Sequence, residues 1–367
     1  MATPLPRILQ PLIVNERVNR LNVINDTFQR AFGMQKGGSA VRTQPVRRGI
    51  YDIFDSTRQI ASANHPGTEA KTIARFPVGS VPYVIPRTAE KMPIPIEELN
   101  QLRPIGGPAT TIDVGGEQYL LDQETNMKQT LTNLREFQIA AMLRGSYGWT
   151  ANGSDGFTHA FTGGTITINF LIPAGNLSQL NMLGAGDIVG TAWDIAAAPI
   201  IRDLFAINQA FSALCGLGLT DVWLNSTVWG FVITNTEVQN LGGTSSNPVK
   251  SLVRDEERNE FVGILEAAPW VTFHITDNGL DVGGTFTRLL ADTQATFTCR
   301  MTSEIVSYYE CPEPVVNPTN NKLTHEVGEY YYYKMIDDPV VVELHTRFNG
   351  LPVVKIPKAI ATGTVDF

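Results

Sequence analysis

Residues 72–108 read TIARFPVGSVPYVIPRTAEKMPIPIEELNQLRPIGGP. Prolines stand at 77, 82, 86, 93, 95, 104 and 108, seven of the 22 in the chain. Proline removes a ladder donor, so such a stretch is confined to edge strands, ribbons or extended loops. It nevertheless carries Ile73, Phe76, Val78, Tyr83, Val84, Ile85, Ile94, Ile96 and Leu99. Residues 71–78 and 81–87 read as two ribbon strands. An isolated two-stranded ribbon is marginal in water, and no neighbouring segment offers these side chains a surface. The expectation is that a second copy of the chain supplies it. Deleting residues 74–99 would then leave a folded but unassembled subunit.

On the C-terminal side, residues 117–144 place Leu120, Leu121, Met127, Leu131, Leu134, Phe137, Ala141 and Met142 at three- and four-residue steps, with Gly145 closing the pattern. This spacing predicts a helix about 42 Å long, the length of a domain. A second helix is expected from an Asp194 N-cap to Leu214, with Pro199 near its first turn. Strands are expected at 165–172, 228–234, 270–275, 293–298, 330–335 and 340–344, with turns at Asn278-Gly279 and Gly283-Gly284. On the N-terminal side, residues 1–57 read as an extended arm with one short helix around Val18–Phe32, ended by Gly33, and an extended element at 49–54. The order of elements is α+β and not a βαβ repeat.

The composition narrows the function class. Only 17% of the 367 residues are charged, against about 25% in ordinary soluble domains, which suits a chain whose surface ends in contacts. The net charge of −8 is uneven. Residues 1–60 hold nine Lys and Arg against four acids, so the arm is about +5 and the remainder about −13. A basic arm on an acidic body can bind nucleic acid or a neighbour's body. No basic cluster is denser than Arg47-Arg48, which argues against strong DNA binding by this chain alone. Cys215, Cys299 and Cys311 form neither a CxxC nor an even set, so neither a disulfide framework nor a zinc site is indicated and a reducing compartment fits. The absence of an 18-residue apolar run or a signal-peptide core predicts a soluble, unexported chain.

The chemistry-bearing residues do not form a site. Histidines 65, 159, 274, 325 and 345 share no metal-ligand spacing. The pairs Glu97-Glu98 and Asp337-Asp338 are adjacent and cannot face one another across a substrate; Asp338-Pro339 reads as a turn. Gly184–Gly190 superficially matches a dinucleotide loop, but it follows no parallel strand and reads as a connector. Tyr330–Tyr333 as a strand puts aromatics on both faces, which marks a strand packed on both sides more than a base-stacking platform. No enzyme and no cofactor is expected.

Several motifs, in order and spacing, resemble the major capsid protein E family of tailed double-stranded DNA bacteriophages, the lambda-like shell proteins. They are Tyr83-Val84-Ile85-Pro86, the helix closing in Ala140-Ala141-Met142-Leu143-Arg144-Gly145, then Thr276-Asp277-Asn278-Gly279 followed by Arg288–Thr293. The last is Asn349-Gly350-Leu351-Pro352-Val353-Val354-Lys355-Ile356-Pro357-Lys358-Ala359. The resemblance implies the shell fold shared with herpesvirus capsid floors and encapsulin compartments. Residues 1–57 would be the N-terminal arm, 58–115 the E-loop, 116–190 the spine helix and the first part of the P-domain. Residues 191–299 would be the A-domain and 300–367 the rest of the P-domain; the Gly- and Asn-rich stretch 151–190 departs from the family pattern. The implied role is a major head protein that self-assembles into pentamers and hexamers around packaged DNA, in the host cytoplasm. Implied partners are a portal, a decoration or cement protein and, since no long helical segment precedes the arm, a separate scaffolding protein. The expected intersubunit contacts are Arg20, Arg30, Arg47 and Arg48 of the arm and Arg75, Phe76, Tyr83, Arg87, Lys91, Ile94 and Ile96 of the ribbon. The alternatives are an encapsulin-like compartment holding an enzyme, or a β-rich enzyme.

Overall fold

The computed structural model describes residues 11–21, 26–54, 78–95, 114–151, 157–161, 163–164, 166–178, 180–241, 248–256, 258–282, 284–316, 323–337 and 340–367. The first half holds helices α1 (Pro11–Arg20), α2 (Thr27–Ala31) and α3 (Val114–Leu143). Its strands are β1 (Val41–Thr43), β2 (Arg48–Phe54), β3 (Val78–Val84), β4 (Arg87–Pro95), β5 (Ser146–Ala151), β6 (Phe157–Ala160), β7 (Ile166–Asn169) and β8 (Leu177–Ser178). Then come α4 (Ile200–Leu214), β9 (Leu219–Leu224), α5 (Ser226–Thr234), α6 (Thr236–Leu241), β10 (Val249–Asp255), β11 (Glu260–Leu265) and β12 (Thr272–Ile275). The remaining strands are β13 (Gly279–Val282), β14 (Thr285–Arg288), β15 (Gln294–Cys299), β16 (Val306–Glu310), β17 (Glu313–Val316) and β18 (Leu323–Glu326). The series ends with β19 (Tyr330–Asp337), β20 (Val340–Val354) and β21 (Ile360–Thr364).

The chain forms two compact units. Unit 1 comprises residues 1–49, 84–136 and 308–351; unit 2 comprises 50–83, 137–307 and 352–367. Helix α3 and strand β20 contribute residues to both.

Unit 1 is organised by a sheet in the order β1-β16-β20-β19, with β4 also paired to β20. Strand β4 runs antiparallel to β20 from Val341↔Pro95 to Asn349↔Arg87, placing Pro93 opposite Glu343. Among the described residues β4 pairs with β20 alone, so it is the edge strand that its prolines require. This corrects the ribbon expectation. The strands lie at 78–84 and 87–95, they pair with β2 and β20 rather than with each other, and Pro86 separates them. Tyr83, Ile85 and Ile94 are buried by this chain itself. Residues 71–77 lie outside the described residues.

The arm is also corrected. It holds two helices, and α1 packs on β19 with Val14 and Val18 fully buried. The Asn15 amide closes a two-way pair with Tyr331, donating to its carbonyl at 2.7 Å and accepting its N–H at 2.9 Å. Arg17 pairs with buried Glu124, which also accepts from the Tyr333 hydroxyl at 2.9 Å. The strand of four tyrosines is packed as its two-faced pattern requires, with Tyr331 and Tyr333 fully buried.

The centre of unit 1 is Arg135 of α3, 1% exposed. Its guanidinium meets Glu310 at 2.9 Å and Glu329 at 3.2 Å, and lies 5.1 and 4.8 Å from the ring centroids of Tyr308 and Phe348. Gly350 beside these rings has no room for a side chain. A Cβ there would fall 2.3 Å from the Phe348 ring and 2.5 Å from that of Tyr308.

In unit 2 the main sheet has the order β10-β11-β12-β9-β15-β21-β8. Trp193, Trp223, Phe211, Phe273 and Phe297 form its core. Helix α4 packs on β9 and α6. It starts at Ile200, not at Asp194, with Pro199 in the N-cap position. The residue before a proline is driven out of helical geometry, so the helix cannot extend further back. Residues 228–234 are likewise helix, not strand. The Asn225 side chain caps α5 by accepting the Val228 N–H at 2.9 Å, and Val228 and Val232, four apart, share a buried face. Gly145, at φ +92°, ends α3 as expected and accepts the Phe170 N–H at 3.0 Å. Gly284, at φ +85°, turns the β13–β14 hairpin.

Candidate assembly surface

Strand β2 alternates cleanly. Arg48, Ile50, Asp52 and Phe54 face solvent, while Tyr51 turns inward against Tyr83 at 6.3 Å between centroids. Ile50 is 69% exposed and Phe54 51%, an outward apolar pair of the kind that marks a contact surface. The Phe54 N–H donates to the Lys355 carbonyl at 2.9 Å, fixing the end of the strand. Beside it lies an apolar pocket of about 300 Å³ lined by Ile53, Phe54, Gly79, Leu171, Pro173, Pro357 and Lys358. Leu171 holds φ +56°, a left-handed conformation costly for a branched side chain. Its N–H donates to the Asn169 side chain at 2.7 Å, and its own side chain is 47% exposed. A leucine held in a strained conformation and presented to solvent suits a surface that another molecule covers.

A second apolar edge occurs at the rim of the large sheet. β10 is its outermost strand, and Leu252, Val253 and Phe261 of the β10–β11 hairpin are 50%, 60% and 46% exposed. An open edge with apolar side chains is a pairing site for another chain unless something covers it.

A model of the phage major capsid protein E family matches residues 16–365. This chain belongs to that family. The capsid protein therefore has a structural role in a phage shell. Its fold is that of a prophage capsid protein so assigned in E. coli CFT073 (TM-score 0.57, 11% identity, 97% of this chain and 99% of that one). It is also that of a phage-related protein from Bordetella bronchiseptica RB50 (TM-score 0.52, 10% identity, 98% of each chain). No curated protein matches by sequence.

The contact residues expected from the capsid protein's sequence fall into three groups. Arg75, Phe76 and Ile96 lie outside the described residues. Tyr83 and Ile94, 5% and 1% exposed, are core residues of their own subunit, and the periodicity that marked them as apolar could not say whose core. Arg20, Arg30, Arg47, Arg48, Arg87 and Lys91 are at the surface, and most already have partners in the same chain. Arg20 pairs with Glu16, Arg30 with Asp26 at 2.6 Å, Arg87 with Glu313 at 2.6 Å and Lys91 with Glu343 at 2.9 Å. Arg47 donates to the Ile85 carbonyl at 3.2 Å. Of these pairs only Arg20–Glu16 is exposed on both sides, and a pair of that kind contributes about 0–1 kcal/mol. The sequence reading did not single out the exposed Ile50, Phe54, Leu171 or the β10–β11 edge. Only the alternation in β2 signalled Ile50 and Phe54 in the sequence, and nothing signalled the left-handed Leu171.

Among the described residues no group of three His, Cys, Asp or Glu is placed to hold a metal, and no helix is long and apolar enough to cross a membrane. The side chains of Cys215, Cys299 and Cys311 are buried.

One buried carboxyl stands out. Glu136 of α3 accepts the N–H groups of Phe28 at 3.1 Å and Gln29 at 2.8 Å, tying α2 to the long helix. Complete burial pushes it up to about 8 against the pull of these donors. The folded protein thus holds a proton that the unfolded chain releases, and this contribution to stability falls as pH rises from about 4.5 to about 8. Glu136→Gln keeps one of the two acceptor oxygens and removes the titration. Urea midpoints at pH 5 and pH 8.5 are expected to differ less in this variant than in the wild type, and equal slopes would rule the account out.

Proposed function

We propose that this chain is the major head protein of a tailed phage and assembles into hexamers and pentamers of an icosahedral shell around double-stranded DNA. The family match across residues 16–365 carries the reading. The exposed Ile50, Phe54 and Leu171 and the open β10 edge support it as surfaces for neighbouring copies. In this reading residues 1–57 are the arm, 58–115 the E-loop, 116–190 the spine helix and first part of the P-domain, 191–299 the A-domain, and 300–367 the rest of the P-domain. The chain catalyses nothing. It assembles in the host cytoplasm on a separate scaffolding protein, and joins a portal and a decoration protein. DNA contact is generic, through exposed arginines such as Arg42 and Arg48.

Electron microscopy of the purified protein tests this most directly: rings or closed shells are expected, and a monodisperse monomer at high concentration would refute it. Nucleic acid inside the particles from phage-infected cells separates a phage head from an enzyme-filled compartment. Ile50→Asp with Phe54→Asp is expected to leave secondary structure and unfolding midpoint within about 0.5 kcal/mol, as for exposed positions, while particle yield drops at least about tenfold, the effect of about 1.4 kcal/mol per contact. Normal shells from the double variant would show that this face is not an interface.

A further inference from the structure

We propose that His274 is a proton-operated clamp, whose imidazolium, held between Asp221 and Glu260, fastens the β10–β11 hairpin to the main sheet of unit 2. Nothing in the capsid role requires this, and it stands apart from the proposed function.

The geometry assigns the protonation. His274 of β12 has Nε2 3.2 Å from the Asp221 carboxylate of β9 and Nδ1 3.3 Å from that of Glu260 on β11. Each ring nitrogen thus faces an acceptor, and only the doubly protonated ring can donate to both. The ring stacks on Trp223 at 4.0 Å and 10°, so it cannot turn away. Trp223 is held in turn by donating to the Thr298 hydroxyl at 3.3 Å.

The charges around the ring make its proton consequential. The Glu260 side chain is fully buried, and its Oε2 has no hydrogen-bond partner. Its other cationic neighbour is Arg258 at 3.4 Å, which is 35% exposed and shared with Asp255. Asp221, 27% exposed, also accepts from Thr220. When His274 loses its proton, one nitrogen presents a lone pair to a carboxylate that then loses its donor: Asp221 if Nε2 is bared, or Glu260, left with the partly exposed Arg258, if Nδ1 is. A buried charge without adequate compensation is costly. The joint that must absorb the cost is short, because β11 and β12 share only the pairs Phe261↔Ile275, Val262↔His274 and Gly263↔Phe273. β10 lies outside β11 and reaches the sheet only through it.

The sign follows. Burial alone would lower the pKa of His274, but the two carboxylates outweigh it and hold the group above its ordinary value of 6.5. The clamp is therefore fully engaged below about pH 6.5 and is released as pH climbs through the raised value.

Hydrogen exchange by mass spectrometry at pH 6 to 9, corrected for intrinsic rates, reads the opening of residues 249–265 against β15 as reference. Oligomeric state is checked at each pH by size exclusion. The opening equilibrium of the hairpin is expected to rise with pH relative to β15. His274→Gln should open it at every pH, and Glu260→Gln should flatten the pH dependence. NMR of ring-labelled histidine should show the His274 imidazole titrating above 6.5, in contrast to His159 and His345, which burial holds below it. A pH-independent hairpin in the wild type, or a His274 that titrates below 6.5, would overturn the proposal even if the glutamine variants fail to fold.

Discussion

Replacing Arg135 with alanine is expected to destabilise unit 1 by about 3–5 kcal/mol, the cost of breaking a buried ion pair from one side. The substitution leaves Glu310 and Glu329 facing one another with no guanidinium between them, both nearly buried. It also opens the space beside Tyr308 and Phe348. Burial already raises the pKa of Glu310, against the pull of Arg135. Arg135→Met, which refills the space, should be nearly as damaging, because the stranded carboxylates rather than the lost packing dominate. Adding Glu310→Gln and Glu329→Gln to Arg135→Met should recover much of the loss. Urea unfolding followed by circular dichroism measures all three, and an Arg135→Ala midpoint equal to wild type would contradict the network.

Removing residues 78–95 is expected to abolish folding of unit 1 and leave insoluble protein. This reverses the outcome expected when the stretch was read as a detachable clasp. The deletion takes away the nine-pair ladder of β4 on β20 and the buried Ile85 and Ile94. It also removes β3 and the buried Tyr83 from unit 2. Fully burying one such side chain contributes about 1.5–3 kcal/mol, so their combined loss matches the whole stability of a typical domain. Soluble, cooperatively unfolding protein after the deletion would show that the segment is dispensable for folding. The surface pair Ile50 and Phe54 is the contrasting case, since most of both side chains is exposed in the subunit.

The long helix shows how far pattern reading goes. Its apolar steps and closing glycine located α3 within a few residues at each end. They did not reveal that Glu124, Arg135, Glu136 and Gln138 are also buried, three of them one turn on from Leu120, Leu131 and Leu134. Periodicity identifies the side that must avoid water, and a polar residue looks solvated until another segment covers it. Here the covering segments are the arm, whose Phe28 and Gln29 amides meet Glu136, and, more than 170 residues away, strand β16 and the β18–β19 connection, which carry Glu310 and Glu329. Helix α5 failed for a related reason. Its Val- and Ile-rich sequence favours strand locally, and the Asn225 cap together with burial against the sheet outweighed that preference.

The motifs in order along the chain were enough to place it in the capsid family, because a shared fold keeps turn and core positions in register even when each short match is weak. Proline content excluded a central strand at residues 72–108, since a missing N–H cannot be supplied by any tertiary context, and left edge strand, ribbon and loop open; pairing with β20 made 87–95 an edge strand. Ownership of the apolar surface was a different matter. Sequence can say that Tyr83 and Ile94 must be covered, but covering depends on which distant strand arrives, and only the tertiary structure shows that β20 and β2 of the same chain do so. The same holds for charge. The arm's excess of arginine was plain, while the pairing of Arg17 with Glu124, a buried carboxylate more than 100 residues away, became visible only in the folded structure.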